Sequence, residues 1–307
     1  MSARRRWLRR LLVGGGLGLL LGVVGIYVVV LWALPSAISY APNAERPIDS
    51  AGDPSAGALH ALGVSRGLRV AVGPPAASLS LWIIDPAGPA RDTVLVLHGI
   101  RDSKRSQLGL GRALAAAGHR AVLVDLRGHG RSSGRFLSYG VIESRDLVQV
   151  IDALAERGSL TAEVKAVGAS YGGAVALQLA GRDRRVTAVA TVATFTSLRD
   201  VTPLYLRRLV PGVGRLVTSG QIDEALERAG REAGFDPREA APVRAVARTH
   251  ARLLLIHGAD DGNIPVSHAR ALHQAAGRRS QLLVIPGADH ATVMGHPRVT
   301  RAILDWL

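Results

Sequence analysis

V-K-A-V-G-A-S-Y-G-G-A-V-A-L-Q-L-A, residues 164–180, passes from a continuous apolar run suited to a buried strand into a helical pattern, and the change falls on Ser170. Gly168 and Gly172 flank that serine on either side. A strand that turns into a helix this sharply leaves no room for side chains beside the bend, so the two glycines let Ser170 project above a sheet. Its hydroxyl then sits over the helix amino terminus, where the Tyr171 N–H points toward an oxygen that becomes negative during acyl transfer. In a chain with 35 glycines, G-x-S-x-G alone is as readily an ordinary turn. The strand before it and the helix after it give the motif chemical meaning.

The same rhythm extends outward. Strand-like runs recur at 68–72, 78–84, 93–97, 121–125, 186–192, 253–256 and 282–285, and amphipathic stretches lie near 105–117, 141–157, 171–181, 265–277 and 297–307. Strand and helix alternating in this way predict an α/β domain over 65–307, built on a mostly parallel eight-stranded sheet flanked by helices. Its first two strands are expected to form an antiparallel lead-in. Ligands should gather at the carboxyl ends of the strands. The rhythm breaks between Thr194 and Arg252, where L-Y-L-R-R-L-V at 204–210 and I-D-E-A-L-E-R-A at 222–229 carry helical pattern without a clear strand. An insertion over about 196–250 at that sheet edge would form a small helical cap above the site.

At the amino end the chain is apolar from Leu8 to Leu34 apart from Arg9 and Arg10, and Pro35 closes the run. A spanning helix needs about 20 apolar residues, whereas the core of a cleavable signal has about 7–15, so 8–34 reads as one transmembrane helix behind a basic tail at 1–7. Small residues at 33–41 form the competing signal, a cleavage site. Arg4, Arg5, Arg6, Arg9 and Arg10 precede the span and no lysine or arginine follows before Arg46, which predicts a cytoplasmic amino terminus and a catalytic domain outside. Gly14, Gly18 and Gly22 recur every four residues, a spacing that would let two such helices pack closely. Prolines and glycines in 35–64 read as a linker with no chemistry of its own.

With no cysteine, the chain has no disulfide, thiolate zinc site or cysteine nucleophile. Its chemistry must come from oxygen and imidazole groups. The net charge of +14 is mostly arginine spread along the chain, which argues against a nucleic-acid partner and suits a domain beside anionic lipid headgroups. The ten histidines include no H-E-x-x-H or comparable cluster, so no metal and no cofactor are expected. D-L-R-G-H-G-R-S-S-G at 125–134 has glycines at Gly128, Gly130 and Gly134, but G-x-G-x-x-x-G after a middle strand is not a dinucleotide fingerprint.

Taken with G-A-S-Y-G, the motifs H-G-I at 98–100, the 125–134 turn, H-G-A-D-D-G-N-I-P at 257–265 and P-G-A-D-H at 286–290 make residues 65–307 resemble an α/β-hydrolase, within it the esterase, lipase and peptidase-like serine hydrolases. The resemblance implies Ser170 as nucleophile. It implies Asp261 as the acid, four residues before Pro265, with Asp260 as the competing carboxylate. It implies His290 as the base, with His296 as its rival, and a second oxyanion N–H at Ile100 beside that of Tyr171. The order Ser170, Asp261, His290 is the order expected of this fold. His98 and His129 read as scaffolding, and His268 and His273 as surface residues of a helix. The implied activity is cleavage of an ester or related acyl bond in a small acyl substrate or a lipid, as a carboxylesterase or a lysophospholipase-like enzyme. A peptidase or amidase with the same machinery, and a non-catalytic scaffold of the same fold, are the alternatives.

Overall fold

In the computed structural model, which describes residues 3–43 and 54–307, the long helix α1 (Ala3–Ser39) leads into a sheet of eight strands. These are β1 (Arg66–Val72), β2 (Ala77–Ile84), β3 (Thr93–Leu97), β4 (Arg120–Val124), β5 (Val164–Ala169), β6 (Val186–Val192), β7 (Arg252–Gly258) and β8 (Ser280–Ile285). Their spatial order is β1-β2-β4-β3-β5-β6-β7-β8. β2 pairs antiparallel with both β1 and β4, and every later pairing is parallel. The antiparallel lead-in and parallel body follow the alternation of the sequence, because a parallel neighbour requires a crossover helix.

Those crossovers are α3 (Leu108–Ala116), α4 (Val141–Glu156), α5 (Tyr171–Ala180) and, after the cap, α9 (Ser267–Ala276); a short α2 (Ala56–Ala61) precedes β1. The cap comprises α6 (Leu198–Leu209), α7 (Ser219–Ala233) and α8 (Pro242–Arg248), while α10 (His290–Met294) and α11 (Pro297–Trp306) close the chain. Both faces of the sheet are dry. One apolar layer joins Leu81, Leu95, Val122 and Ala166 to Leu147, Ile151 and Val175, and the other joins Val94, Val96, Leu123 and Ile256 to Leu114, Val299 and Ile303. Burial on both sides explains why the central strands read as unbroken Val, Leu and Ile runs rather than alternating ones.

The amino-terminal helix departs from expectation at its end. It does not stop at Pro35 but continues to Ser39, and residues 35–43 are docked rather than extended. Leu34 and Ile38 are buried in an apolar cluster with Ile222, Leu226 and Ala229 of α7, which offsets the helix hydrogen bond that Pro35 cannot donate. The Leu137 N–H donates to Ser39 O at 2.7 Å, Ala41 N–H to Arg135 O at 3.0 Å, and the Tyr139 hydroxyl to Ile38 O at 3.0 Å. Linker residues 44–53 lie outside the described residues. Cβ atoms built on Gly18 and Gly22 would meet open space, so at these two positions α1 touches none of the described residues.

Candidate active site

Ser170 adopts φ +48° and ψ −111°, a left-handed conformation that a non-glycine residue holds only when its surroundings impose it. They do so through three hydrogen bonds. Ser170 N–H donates to Val192 O at 2.7 Å, while Ser170 O accepts from the Thr194 hydroxyl at 2.8 Å and from Ala174 N–H at 3.1 Å. The flanking glycines are sterically required. A Cβ on Gly168 would stand 2.3 Å from Gly172 O, and one on Gly172 would stand 2.5 Å from both Leu97 O and His98 O. That second approach presses the first turn of α5 against the end of β3, bringing Tyr171 and the His98-Gly99-Ile100 loop together. Neither the Ile100 nor the Tyr171 N–H is engaged in a turn or cap hydrogen bond among the described residues.

The other predicted residues reach the same carboxyl edge from neighbouring strands. His290 opens α10 after β8, and its Nδ1 lies 2.7 Å from Asp261 Oδ2 in the loop after β7. Asp261 Oδ1 accepts the N–H groups of Asn263 at 2.9 Å and Ile264 at 2.8 Å. Burial by itself would raise this carboxyl, but hydrogen bonds from His257, His290 and Ile264 outweigh it and hold Asp261 well below the usual carboxylate range. The competing carboxylate, Asp260, points to solvent, and its N–H is tied to Ala288 O. His296 caps α11, accepting from Arg298 N–H at 3.2 Å.

His98 Nε2 accepts from Leu126 N–H at 3.0 Å, which leaves Nδ1 protonated to donate to Gly99 O at 2.7 Å. It thereby fastens the Ile100 loop to the turn after β4, and burial lowers its basicity. His129 packs between the rings of His98 and Tyr171, and burial together with His98 lowers its pKa to about 4. Both are neutral scaffolding near pH 7. The glycine-rich turn at 125–134 is braced by Asp125, which accepts from Lys104 N–H at 2.7 Å and Arg131 N–H at 2.8 Å and pairs with the Lys104 ammonium. Among the described residues no three His, Asp or Glu side chains converge as a metal site.

Two expectations about histidines change. His268 and His273 are half-buried, not surface residues, because each ring finds a hydroxyl: Thr196 Oγ1 at 2.9 Å and Ser280 Oγ at 2.7 Å. His268 also lines a cleft of about 400 Å³ between the cap and the 265–268 loop, with Pro203, Leu204, Arg207 and Ile222.

Sequence reasoning passed over two further groups. His257, fully buried, places Nε2 2.7 Å from Ile264 O and 3.3 Å from Asp261 Oδ2, so the acid lies between two imidazoles. Its signal was the repeated H-G at strand ends, 98–99 and 257–258. Tyr205 of α6 turns its phenol toward the Ser170 hydroxyl. Burial, and secondarily the Asp261 carboxylate, push that phenol above the ordinary tyrosine value, so it remains protonated. The only sequence signal for it was a lone aromatic in an amphipathic cap helix.

Residues 88–240 match the profile of a family described as serine aminopeptidase, S33. The uncharacterized protein YqkD of Bacillus subtilis is 26% identical over 204 residues, covering 65% of each chain, and YfhR of Escherichia coli K12 is 27% identical over 208 residues, 67% of this chain and 65% of that one. The aligned part thus spans about two thirds of these relatives' own length. A putative carbamate hydrolase, RutD of Variovorax paradoxus, is 40% identical over a shorter stretch of 99 residues, 30% of this chain and 34% of that one. Among solved structures, the Pyrococcus furiosus esterase Pf2001 superimposes with a TM-score of 0.64 at 17% identity, covering 84% of this chain and 94% of that one, a likeness of fold.

Proposed function

Because the chain belongs to the α/β-hydrolase superfamily, we propose that it is a serine hydrolase that cleaves carboxylic esters through Ser170, His290 and Asp261. The observation that carries the reading is the 2.7 Å contact between His290 Nδ1 and Asp261 Oδ2, on the sheet edge where Ser170 occupies its strained bend. Asp261 accepts from Nδ1–H, which leaves Nε2 free to take a proton. A neutral imidazole can accept the Ser170 proton and return it to the leaving alcohol. Ser170 Oγ attacks the acyl carbonyl as the Ile100 and Tyr171 N–H groups stabilise the oxyanion, and water activated by His290 then releases the acid.

The match to a serine aminopeptidase profile supports a second reading, a peptidase or amidase using the same groups. An ester of an amphiphile is preferred because Pro203, Leu204, Val217 and Ile222 line the cleft at the cap together with Arg199, Asp200, Arg207 and Asp223, a wall with both apolar and charged parts. The non-catalytic scaffold is disfavoured, since it has no use for a carboxylate–imidazole pair on the same sheet edge as a serine held at positive φ.

The same reading holds α1 as a retained anchor with the domain outside. Cleavage after Ile38, at the carboxyl end of 33–41, would strip Leu34 and Ile38 from the cap and expose the apolar face of α7. Ser170→Ala is expected to abolish labelling by a fluorophosphonate probe and all ester hydrolysis while leaving the melting curve in place. Undiminished labelling of that variant would overturn the assignment. A panel of p-nitrophenyl esters of rising chain length, run against aminoacyl anilides, separates esterase from peptidase.

A further inference from the structure

α1 is more than a tether. A stripe of Val23, Tyr27, Val30, Leu31, Leu34 and Ile38 is half-buried or buried, recurring three and four residues apart as one helix face requires, while Val24, Ile26, Val28, Val29 and Trp32 between them are exposed. That stripe lies along α7. The Tyr27 hydroxyl donates to Gln221 Oε1 at 2.7 Å, Leu31 and Trp32 border a groove with Glu224, Ala225 and Arg228, and Ser39 Oγ meets Glu232 Oε2 at 3.5 Å. Contacts that advance together along both sequences mean that the two helices run parallel, each rising about 1.5 Å per residue.

The amino end of α7, Ser219 and Gly220, therefore faces residues of α1 before Tyr27, at the level of its apolar run. The turn at Val213–Arg215 does touch α1. On this turn and at the end of α6, Leu209 is 71% exposed and Leu216 56%, beside Arg207, Arg208 and Arg215, which are also exposed. Apolar side chains ringed by arginine, held against a helix long and apolar enough to cross a bilayer, have the chemistry of an interfacial insertion.

We propose that residues 207–216 of the cap are seated in an anionic lipid bilayer, with Leu209 and Leu216 below the headgroups and the arginines among the phosphates. Substrate then reaches Ser170 from the lipid phase, as an amphiphile with a single acyl chain. The substrate half of the proposal rests on the hydrolase reading; the seating of the cap does not. Tyr205 sits on the same helix as Leu209 with its phenol toward Ser170, so the helix that dips into lipid is the one that covers the nucleophile.

The absence of native cysteine allows a clean test on the full-length protein. Leu209→Cys, Leu216→Cys and a control, Arg278→Cys beyond the opposite end of the sheet, are each labelled with an environment-sensitive fluorophore. They are then reconstituted into vesicles of phosphatidylcholine with a minority of phosphatidylglycerol. Labels at 209 and 216 should emit blue-shifted and be quenched by lipids brominated on the acyl chain, and the label at 278 should not. Equal, water-like emission from all three would overturn the seating.

A Leu209→Ser/Leu216→Ser double variant should hydrolyse a vesicle-embedded single-chain ester at least about tenfold more slowly than wild type, with fluorophosphonate labelling in detergent unchanged. Equal rates on that ester would overturn the lipid route. Were no ester cleaved by the wild type, the hydrolase reading would fail, and the quenching result would still judge the cap.

Discussion

Asp261 is held by three donors within a buried pocket, the His290 imidazole and two backbone N–H groups, with the His257 ring 3.3 Å away, and that environment makes its ionisation a source of stability. The folded pKa lies below the unfolded value of about 3.9, so the native state binds fewer protons there. The stabilisation is present above the unfolded value and is lost as pH falls through it toward the folded one. Thermal melts between about pH 5 and pH 3 should therefore drop more steeply for wild type than for Asp261→Asn, whose amide does not titrate. Parallel slopes would mean that the carboxylate carries no such linkage. At pH 7 the same variant should lose about four orders of magnitude in kcat, because an amide facing Nδ1 favours the wrong imidazole tautomer.

The decisive element is the β5–α5 bend. Ser170 keeps its positive φ because β6 and Thr194 hold its backbone from one side, and because α5 lies against the carbonyls of Leu97 and His98 on the other. A methyl group at Gly172 would have to push backbone, not a flexible side chain, so Gly172→Ala should destabilise the domain by about 1–3 kcal/mol, the cost of overpacking a close contact. It should also displace the Tyr171 N–H from the oxyanion position. Denaturant melts together with fluorophosphonate labelling check both, and full labelling in this variant would show that the approach tolerates a shift. The parallel α1–α7 pair is a second element whose stability is tertiary, since Pro35 would otherwise end the helix early.

On the scale of the whole molecule, charge and apolar surface are polarised together. Arginines at positions 4, 5, 6, 9 and 10 precede the apolar helix, and the catalytic domain follows it. Positive-inside bias predicts that the domain lies across the membrane from those arginines. A carboxyl-terminal alkaline phosphatase fusion should be active in bacterial cells and a green fluorescent protein fusion dark; the reverse pattern would invert the orientation. The cap lies at the lipid-facing side of the domain in the arrangement inferred above, so orientation also decides which leaflet the substrate comes from.

Local sequence was sufficient for the strand and helix order and for the bend at Ser170. Each of these is written in short-range signals: apolar periodicity, glycine at a steric minimum, and a polar residue at a strand's carboxyl end. The choice between Asp260 and Asp261 was made only by resemblance until their side chains were seen to diverge, one into solvent and one onto His290. His257 behind the acid, Tyr205 over the nucleophile and the docking of α1 on α7 depend on residues far apart in the chain that packing alone brings together. Periodicity can show that a helix has an apolar face; what covers that face is decided when the elements assemble, because burial is a property of the whole arrangement and not of any one segment.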